Sequence, residues 1–389
     1  MKGKKFLHYK SMKKSLEGIV LNDYPLDMVL GSYLATYVWS HWARKPIFIL
    51  GLLVFRPKIP LLNYKSNKKL ITHSSPRADY LKLLERYINR DECDVVFLEK
   101  EKNLTRFSLS SLISLFRIIA NNRFLIFRPV LFAHVIFAVS VIKRLEKISI
   151  EAGEYVAFNS SYRIESFLSY YFRKRGVKTQ SLQHGMYFEY LNDPPVDVIN
   201  YENVCAETLL AWGEYTKEQV GKYLPRGVGV EVYGYPSYCD VELGEGCDSS
   251  EALVLMLPRS SYKREVLEVL ADFVNNYAGE LVVRAHPNSV GFISEFLDSI
   301  GKLSILNISG SLQSFLAETR FHLCVGFNST AVFEAILYGQ RVCLIKCGND
   351  EFELPNIASE TSALNCSSTL SFHPQLDKNY YFGKFKGRI

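Results

Sequence analysis

The order of apolar and polar residues differs between the two parts of the chain. Beyond about residue 150, short apolar runs alternate with amphipathic segments, beginning with "YVAFN" (155–159), "RIESFLSYYFRKRG" (163–176) and "VKTQSLQ" (177–183). A short apolar run bounded by turn residues indicates a strand, and apolar residues at helical spacing indicate a helix. These three segments therefore predict a strand, a helix and a second strand, which together form a βαβ unit.

The same alternation continues to about residue 346. Further strands are expected at 208–213, 230–236, 252–257, 280–285, 303–306, 321–326 and 341–346. Helices are expected between the later strands, at 261–276, 291–300, 311–319 and 329–339. Apolar strands that alternate with amphipathic helices predict parallel sheets covered by helices on both faces.

The first 150 residues have a less regular pattern, with helices expected at 26–42 and 109–149 and a strand at 93–99. The longest apolar run, "PVLFAHVIFAVSVI" (129–142), has fourteen residues. A helix needs about 20 apolar residues to cross a bilayer. The run therefore predicts a buried or interfacial helix.

A segment rich in Gly, Ser and acidic residues, 240–251, marks the expected domain boundary. We therefore predict an α/β protein with two facing Rossmann-like domains and a cleft between them. The first domain covers 1–245 and includes a basic tail at 1–20. The second covers 246–370, and a basic, aromatic C-terminal tail covers 371–389.

The composition is that of a folded protein with free thiols. Of the 389 residues, 48% are apolar and 22% are charged, which is enough for two sizeable cores. The eight cysteines form no CxxC pair, and the N-terminus lacks the apolar segment of a secretory signal. We therefore expect a cytoplasmic protein without a structural zinc site.

The formal net charge is only +6, but basic residues cluster at both ends. "MKGKKFLHYKSMKK" (1–14) carries six lysines and no acid, and "KNYYFGKFKGRI" (378–389) alternates basic with aromatic residues. These ends are expected either to be solvated or to contact an anionic membrane, on the inner face of the cytoplasmic membrane. A nucleic-acid partner is not expected, because no recognised binding motif accompanies the charge.

Polar residues follow three predicted strands, at the edge where parallel α/β sheets bind ligands. They are His184 in "QHG", Arg284, His286 and Pro287 in "RAHPNS", and Gly326, Asn328, Ser329 and Thr330 in "GFNST". A glycine turn followed by Asn-Ser-Thr at a helix start either binds an anion or only caps the helix. Glu334 lies five residues beyond Ser329, where it would point back toward the hydroxyls of a ligand. The histidine before Pro287 either donates to a phosphate or only ends its strand.

The combination of "HG", "HP" and "NST…E" resembles bacterial GT-B enzymes of surface-polymer synthesis. These are the CMP-sugar-dependent transferases of capsule and lipopolysaccharide assembly and the CDP-glycerol glycerophosphotransferases of teichoic acid synthesis. The resemblance covers roughly 150–350 and implies the GT-B fold, which has two facing Rossmann-like domains.

The resemblance also implies a role for each group. The phosphate of the leaving nucleotide would be held by His286 with Pro287 and by Ser329 with Thr330, which match the phosphate-binding groups of these families. His286 is also a candidate catalytic residue. Glu334 matches a carboxylate that contacts the nucleotide ribose, and His184 matches a histidine that is a candidate general base.

The chain departs from these families in two respects. It lacks the Asp/Glu-Asp/Glu-Gly triplet of the sialyl- and polysialyltransferases, and its third motif begins with Asn328.

The residue types suit the same reaction on chemical grounds. Glycosyl transfer needs a base for the acceptor hydroxyl and donors for the departing phosphate. A histidine side chain, with an ordinary pKa of about 6.5, suits His184 to the first task. The second task, binding the departing phosphate, suits Arg284, His286, Ser329 and Thr330. The chain has no DxD triplet, so we expect no metal and no other cofactor.

The weaker candidates lie near the ends of three predicted strands. The residues expected to bind the acceptor are Glu154, Asn159, Arg163, Glu165 and Tyr187. Those expected to contact the donor are Arg259 and Ser260. The alternative for the polar residues is a solvated helix start, and the alternative for Tyr187 is packing in the core.

These expectations favour an inverting glycosyltransferase that uses a CMP-activated sialic acid or Kdo-type sugar. Its acceptor would be a glycan or lipid-linked glycan, such as O-antigen, capsule or lipooligosaccharide. One alternative is a polyol-phosphate transferase that uses CDP-glycerol or a relative. Two others are a nucleotide-sugar 2-epimerase, which needs several carboxylates in the cleft, and a non-catalytic partner in a polysaccharide assembly complex.

Overall fold

The computed structural model describes most of the first half of the chain and the sheet of the second half. The described residues are 2–57, 64–74, 77–98, 102–104, 108–187, 197–236, 248–257, 280–284, 305–307, 315–317, 319–326, 330–340, 342–345, 370–373 and 378–389. The predicted helices at 261–276 and 291–300 lie outside these residues, as does most of the predicted boundary at 240–251.

The helices are α1 (Lys2–Lys14), α2 (Leu26–Val29), α3 (Gly31–Trp39), α4 (Pro46–Val54), α5 (Ala78–Tyr87), α6 (Leu109–Asn121), α7 (Pro129–Leu145), α8 (Arg163–Arg173), α9 (Val198–Glu202), α10 (Glu214–Gly221), α11 (Thr330–Leu337) and α12 (Lys378–Phe382). Two 3-10 helices cover His41–Arg44 and Arg123–Phe127. The long helix predicted at 109–149 is therefore two helices, because Pro129 begins a new one after the 3-10 turn.

The strands are β1 (Val20–Leu21), β2 (Tyr24–Pro25), β3 (Phe55–Pro57), β4 (Lys69–His73), β5 (Cys93–Phe97), β6 (Lys102–Leu104), β7 (Glu154–Ala157), β8 (Thr179–Leu182), β9 (Thr208–Ala211), β10 (Gly229–Val232), β11 (Asp248–Met256), β12 (Leu281–Arg284), β13 (Ile305–Asn307), β14 (Thr319–Gly326), β15 (Val342–Ile345) and β16 (Leu370–His373). The βαβ unit predicted from 155–183 is confirmed as β7, α8 and β8. Among the elements that were not predicted are strands β4 and β16 and helix α5, together with the short strands β1, β2, β3 and β6 and helices α1, α4, α9, α10 and α12.

Two six-stranded sheets organise the molecule. The first has the order β10-β9-β8-β7-β4-β5, and every pair in it is parallel. The second has the order β13-β12-β11-β14-β15-β16 and is parallel except for the pair β15/β16. Parallel neighbours joined through helices form a Rossmann-like domain, so the predicted α/β fold with two such domains is confirmed.

One apolar cluster joins the two sheets. It contains Val156 and Leu210 from the first sheet and Val254 and Cys324 from the second. A second cluster lies on the other face of the first sheet and includes much of α7, whose side chains are mostly buried. This confirms that the apolar run at 129–142 forms a buried helix. Among the described helices, none is both long and apolar enough to span a bilayer.

The basic ends of the chain are ordered elements of the first domain. Residues 2–14 form α1, in which Tyr9 is fully buried and Lys13 donates to Asn203 Oδ1 at 2.6 Å, so this segment is a packed helix. The C-terminal segment (378–389) returns to the first sheet, where the N–H of Lys386 donates to the Tyr233 carbonyl at 2.9 Å. Gly234, at φ +93°, allows this approach, because a Cβ there would meet the backbone of the segment at 2.4 Å.

Candidate functional site

His184 follows β8 at the carboxyl edge of the first sheet. Its imidazole is half-buried between two aromatic rings, with centroids 5.5 Å away at Tyr80 and 5.7 Å away at Phe158. Its Nε2 lies 3.5 Å from the side-chain nitrogen of Asn159, which follows β7. Because β7 and β8 are parallel neighbours, both loops meet at the same edge of the sheet.

Burial lowers the pKa of His184 to about 4, and the positive charge of Arg77 and the nearby His73 lower it further. A hydrogen bond to the backbone at Leu182 acts in the opposite direction. The imidazole is therefore neutral near pH 7 and has a lone pair that can accept a proton.

The contacts of Asn159 indicate which nitrogen of His184 carries that lone pair. Asn159 Oδ1 accepts from the Ser161 hydroxyl at 2.6 Å and from the Ser161 N–H at 3.1 Å. This leaves the NH₂ group of Asn159 as the donor toward Nε2 of His184. The bond to the Leu182 backbone then falls to Nδ1–H, so Nε2 is the basic nitrogen.

Glu165, predicted to bind the acceptor, instead holds the loop after β7. Its side chain is only 1% exposed, and its Oε1 accepts from the N–H of Asn159 at 3.3 Å. Burial raises the pKa of Glu165 to about 8, whereas hydrogen bonds from Ser74 and from the backbone of Phe158 and Asn159 lower it. Glu165 therefore positions Asn159 and ties its loop to the end of β4; it does not face the cleft.

Two other predicted acceptor residues also lie away from the cleft. Glu154 begins β7 at the amino edge of the sheet, opposite to His184, and pairs with Lys69 at 3.8 Å and Lys178 at 3.5 Å. Tyr187 is fully buried, with its ring centroid 5.2 Å from that of Tyr201. The placement of these two residues corrects the prediction that they contact the acceptor.

Arg163 begins α8 with a φ of +47°, an uncommon backbone conformation for a residue with a side chain. Its N–H donates to Ser32 Oγ at 2.8 Å, and its guanidinium lies 4.9 Å from the centre of the Tyr162 ring. These contacts tie the loop after β7 to α3. Of the acceptor residues predicted from sequence, Asn159 and Arg163 remain candidates.

Sequence reasoning missed the contribution of β4 and α5 to this site. His73 ends β4, and its ring centroid lies 4.6 Å from that of Phe158. Arg77 precedes α5, and its guanidinium lies 3.9 Å from the centre of the Tyr80 ring. These residues surround His184, and the only local signal for them is the short apolar run before His73.

The second sheet contributes Arg284, Gly326 and Glu334. Arg284 ends β12 and Gly326 ends β14, and both strands flank β11. A Cβ at Gly326 would meet Cγ2 of Val332 at 2.3 Å, so only glycine lets α11 approach the strand end this closely. Burial lowers the pKa of Arg284, and the charge of Glu334, on α11, opposes this shift.

The two edges meet through a hydrogen bond. The hydroxyl of Tyr235, just after β10 in the first domain, donates to Oε1 of Glu334 at 3.1 Å. The Trp212 and Tyr235 rings pack with centroids 4.6 Å apart. The carboxyl edge that holds His184 and the one that holds Arg284 therefore belong to facing domains, as the GT-B prediction requires.

The remaining predicted donor residues lie outside the described residues, as does the side chain of Thr330. They are His286, Pro287, Asn328, Ser329, Arg259 and Ser260. Within the part of the chain that the structure describes, no group of three or more His, Cys, Asp or Glu side chains could hold a metal ion.

No family model matches the chain, and no curated protein matches its sequence. Among solved structures, it is similar to the UDP-GlcNAc 2-epimerase of Neisseria meningitidis bound to UDP-GlcNAc, at 13% identity and a TM-score of 0.43, over 74% of this chain and 84% of that one.

Two further structures are similar at the same level. Anabaena Alr3699/HepE, in complex with UDP and glucose, is 12% identical, with a TM-score of 0.41 over 73% of this chain and 82% of that one. Phytolacca americana UGT2, complexed with UDP-2fluoro-glucose and pterostilbene, is 10% identical, with a TM-score of 0.41 over 72% and 81%. Two of these neighbours hold a nucleotide-sugar and the third holds UDP and glucose, but likeness at these scores carries no argument about activity.

Proposed function

We propose that this protein is a glycosyltransferase that moves a sugar from a nucleotide-sugar donor to an acceptor hydroxyl. The observation that carries this proposal is the position of His184. It is a neutral imidazole at the carboxyl edge of one Rossmann-like sheet, in the domain that faces Arg284 and Glu334 of the other.

The proposed reaction is a direct displacement. The acceptor oxygen forms a bond to the anomeric carbon of the donor sugar as the bond from that carbon to the nucleotide phosphate oxygen breaks. The acceptor proton goes to Nε2 of His184, and the phosphate leaves with the bonding electrons. Arg284 offers a guanidinium to this developing charge, together with the predicted donors His286, Ser329 and Thr330. No metal ion takes part in this proposal.

The finer identity of the substrates rests on the motif resemblance. We propose a CMP-activated sialic acid or Kdo-type sugar as donor and a bacterial surface glycan as acceptor. Glu334 would contact the ribose of the nucleotide. A polyol-phosphate transferase acting on CDP-glycerol would use the same groups, so the donor itself has to be tested.

The epimerase alternative is less favoured by the placement of two carboxylates. Such an enzyme needs several carboxylates in the cleft. Of those predicted near the first sheet, Glu165 is buried in the first turn of α8, where it accepts from the N–H of Asn159, and Glu154 lies at the opposite edge.

Two measurements on the purified full chain test the proposal. The first is the thermal midpoint with CMP, UDP or GDP, and stabilisation by CMP alone is expected. The second is release of CMP from CMP-sialic acid, CMP-Kdo and CDP-glycerol in the presence of a glycan acceptor. Transfer from a CMP-sugar is the expected result. Conversion of UDP-GlcNAc to its 2-epimer, or no turnover of any donor, would overturn it.

A further inference from the structure

Helix α4 is apolar on all sides but is not enclosed by protein. Its nine residues, "PIFILGLLV", include no polar side chain. Leu52 is buried in the core, whereas Ile47, Leu50 and Val54 lie on the opposite side, with Ile47 76% exposed. A helix that is apolar all round is normally buried on every side. The outer side of α4 is therefore an apolar surface of the kind that proteins normally cover.

Helix α6 exposes an apolar stripe on its outer side. Leu109, Leu112, Ile113 and Phe116 follow helical spacing and form one exposed stripe, with Phe116 69% exposed. The side that faces the protein carries Ser111, Ser114 and Ile118, all buried. A helix on the surface of a water-soluble domain normally turns its apolar stripe to the core and leaves polar residues outside.

The 3-10 helix that follows α6 extends this surface. Phe127 is 83% exposed and Ile126 is also exposed, whereas Leu125, between Phe124 and Ile126, is fully buried. Both α4 and α6 pack against the buried helix α7, so they form an outer layer over it. We call the exposed apolar side chains of this layer the apolar face: Trp42, Ile47, Leu50, Val54, Phe55, Leu109, Leu112, Ile113, Phe116, Phe124, Ile126 and Phe127.

The segments that build the apolar face carry charge of one sign only. Residues 28–78 contain eight Lys or Arg and no Asp or Glu, and residues 102–145 contain seven and none. The exposed basic side chains among the face residues are Arg44, Lys45, Arg117, Arg123 and Arg128. The rest of the chain holds all 40 acidic residues. The face therefore combines apolar and cationic groups, and the two segments that form it contain no acidic residue.

We infer that the apolar face docks on an anionic phospholipid bilayer. Basic side chains are attracted to anionic headgroups, and apolar side chains on a short helix enter the boundary between headgroups and acyl chains. Trp42, 52% exposed, is of the residue type that is enriched at this level of a membrane. Helix α4 has only nine residues, so it lies in the interface and does not cross the bilayer.

The same charges argue against a second copy of the chain as the occupant. A two-fold contact would place one apolar face against its equivalent and bring the Arg and Lys side chains of both copies together. Like charges at such a contact repel each other. The inference also differs from membrane contact through the basic ends, because α1 and the C-terminal segment pack on the first domain.

The test is sedimentation of the purified full chain with vesicles of phosphatidylglycerol and phosphatidylcholine, and with vesicles of phosphatidylcholine alone. Binding to the anionic vesicles only, weakened by salt, is expected. The triple variant Ile47→Ser, Phe116→Ser, Phe127→Ser should bind at least about tenfold less. Its matched control is Leu7→Ser, Val20→Ser, Val95→Ser, which changes exposed side chains elsewhere and should bind as the wild type does.

Circular dichroism melting checks that each variant folds. A second variant, Arg117→Gln with Arg123→Gln, keeps the apolar residues and should lose the preference for anionic vesicles. The inference is overturned if the wild type does not bind anionic vesicles, or if the control variant loses binding equally. It is also overturned if the wild type is a dimer that the first triple variant converts to a monomer, without any vesicle binding. None of these results depends on the proposed glycosyltransferase activity.

Discussion

His134 and His184 have the same low pKa for the same reason, yet they lie in different kinds of site. Burial lowers the pKa of each to about 4. His134 is fully enclosed in α7, with Nδ1 2.7 Å from the carbonyl of Val130, one turn earlier. His184 is half-buried at a sheet edge and faces the side chain of Asn159. A depressed pKa therefore reports burial in both cases, and only position distinguishes a candidate base from a core residue.

The difference extends to the groups behind each ring. Val130 belongs to the same helix as His134, and the backbone of Tyr33, on α3, also interacts with the ring. Asn159 is held by Ser161 and by Glu165, which also contacts the end of β4. His184 thus has a positioning arrangement built from three separate segments, as catalytic groups require.

The largest expected effect separates the two histidines by activity. Loss of a general base lowers turnover by about 10²–10⁴-fold, so His184→Gln should reduce kcat by about a hundredfold or more. Its affinity for the donor nucleotide, measured by calorimetry, should stay within about twofold, because the groups proposed to hold phosphate are in the other domain. His134→Gln is the control and should retain activity. Full turnover in His184→Gln would contradict the assignment of the base.

The free energy of unfolding should depend more on His134 than on His184. His134→Ala leaves a cavity in a fully buried site and should lower the free energy of unfolding by about 2–4 kcal/mol. His184→Ala removes a half-buried ring and should cost about 1 kcal/mol. Urea unfolding of both variants measures the two values. Equal losses would show that His184 is as structural as His134.

The third expected effect is a dependence of stability on pH, and it concerns Glu165, which has no counterpart near His134. Its folded pKa of about 8 lies above its ordinary value of 4.5, so the native state keeps a proton that the unfolded chain releases between these pH values. The contribution of Glu165 to stability is therefore fully present below pH 4.5 and is lost as pH rises to about 8. The slope is at most about 1.4 kcal/mol per pH unit.

Glu165→Gln should remove this slope. Urea unfolding across this pH range, for wild type and variant, gives the difference in stability as a function of pH. That difference cancels the titration of both histidines, which runs in the other direction. A difference that does not change with pH would mean that Glu165 is ionised in the folded protein.

The fold could be predicted largely from local pattern, because β7, α8 and β8 are continuous apolar or amphipathic runs. His184 could be found in the same way, since it directly follows such a run. Strand β4 was missed because its apolar residues are few and follow lysines. His73, which ends this strand, and Arg77, which follows it, were therefore missed as well. The burial of Glu165 could not be predicted, because it depends on Ser74, about ninety residues earlier in the chain.

Glu154 and Tyr187 were misplaced for a different reason. Local sequence does not say which end of a strand faces the cleft, nor whether an aromatic side chain turns toward solvent or the core. Pairing of β7 with β4 and β8 decides the first point, and the buried Tyr201 decides the second. Both depend on contacts between distant segments.

The return of residues 378–389 to the first sheet has a consequence for synthesis. These residues cover Tyr87 and Tyr235, yet they are translated after every strand of both sheets. At roughly 5–20 residues per second, the ribosome takes on the order of ten seconds or more to make the chain between Tyr235 and α12. For that interval the nascent first domain exposes aromatic surface that its own chain has yet to cover, so it is then most open to chaperones and to misassembly.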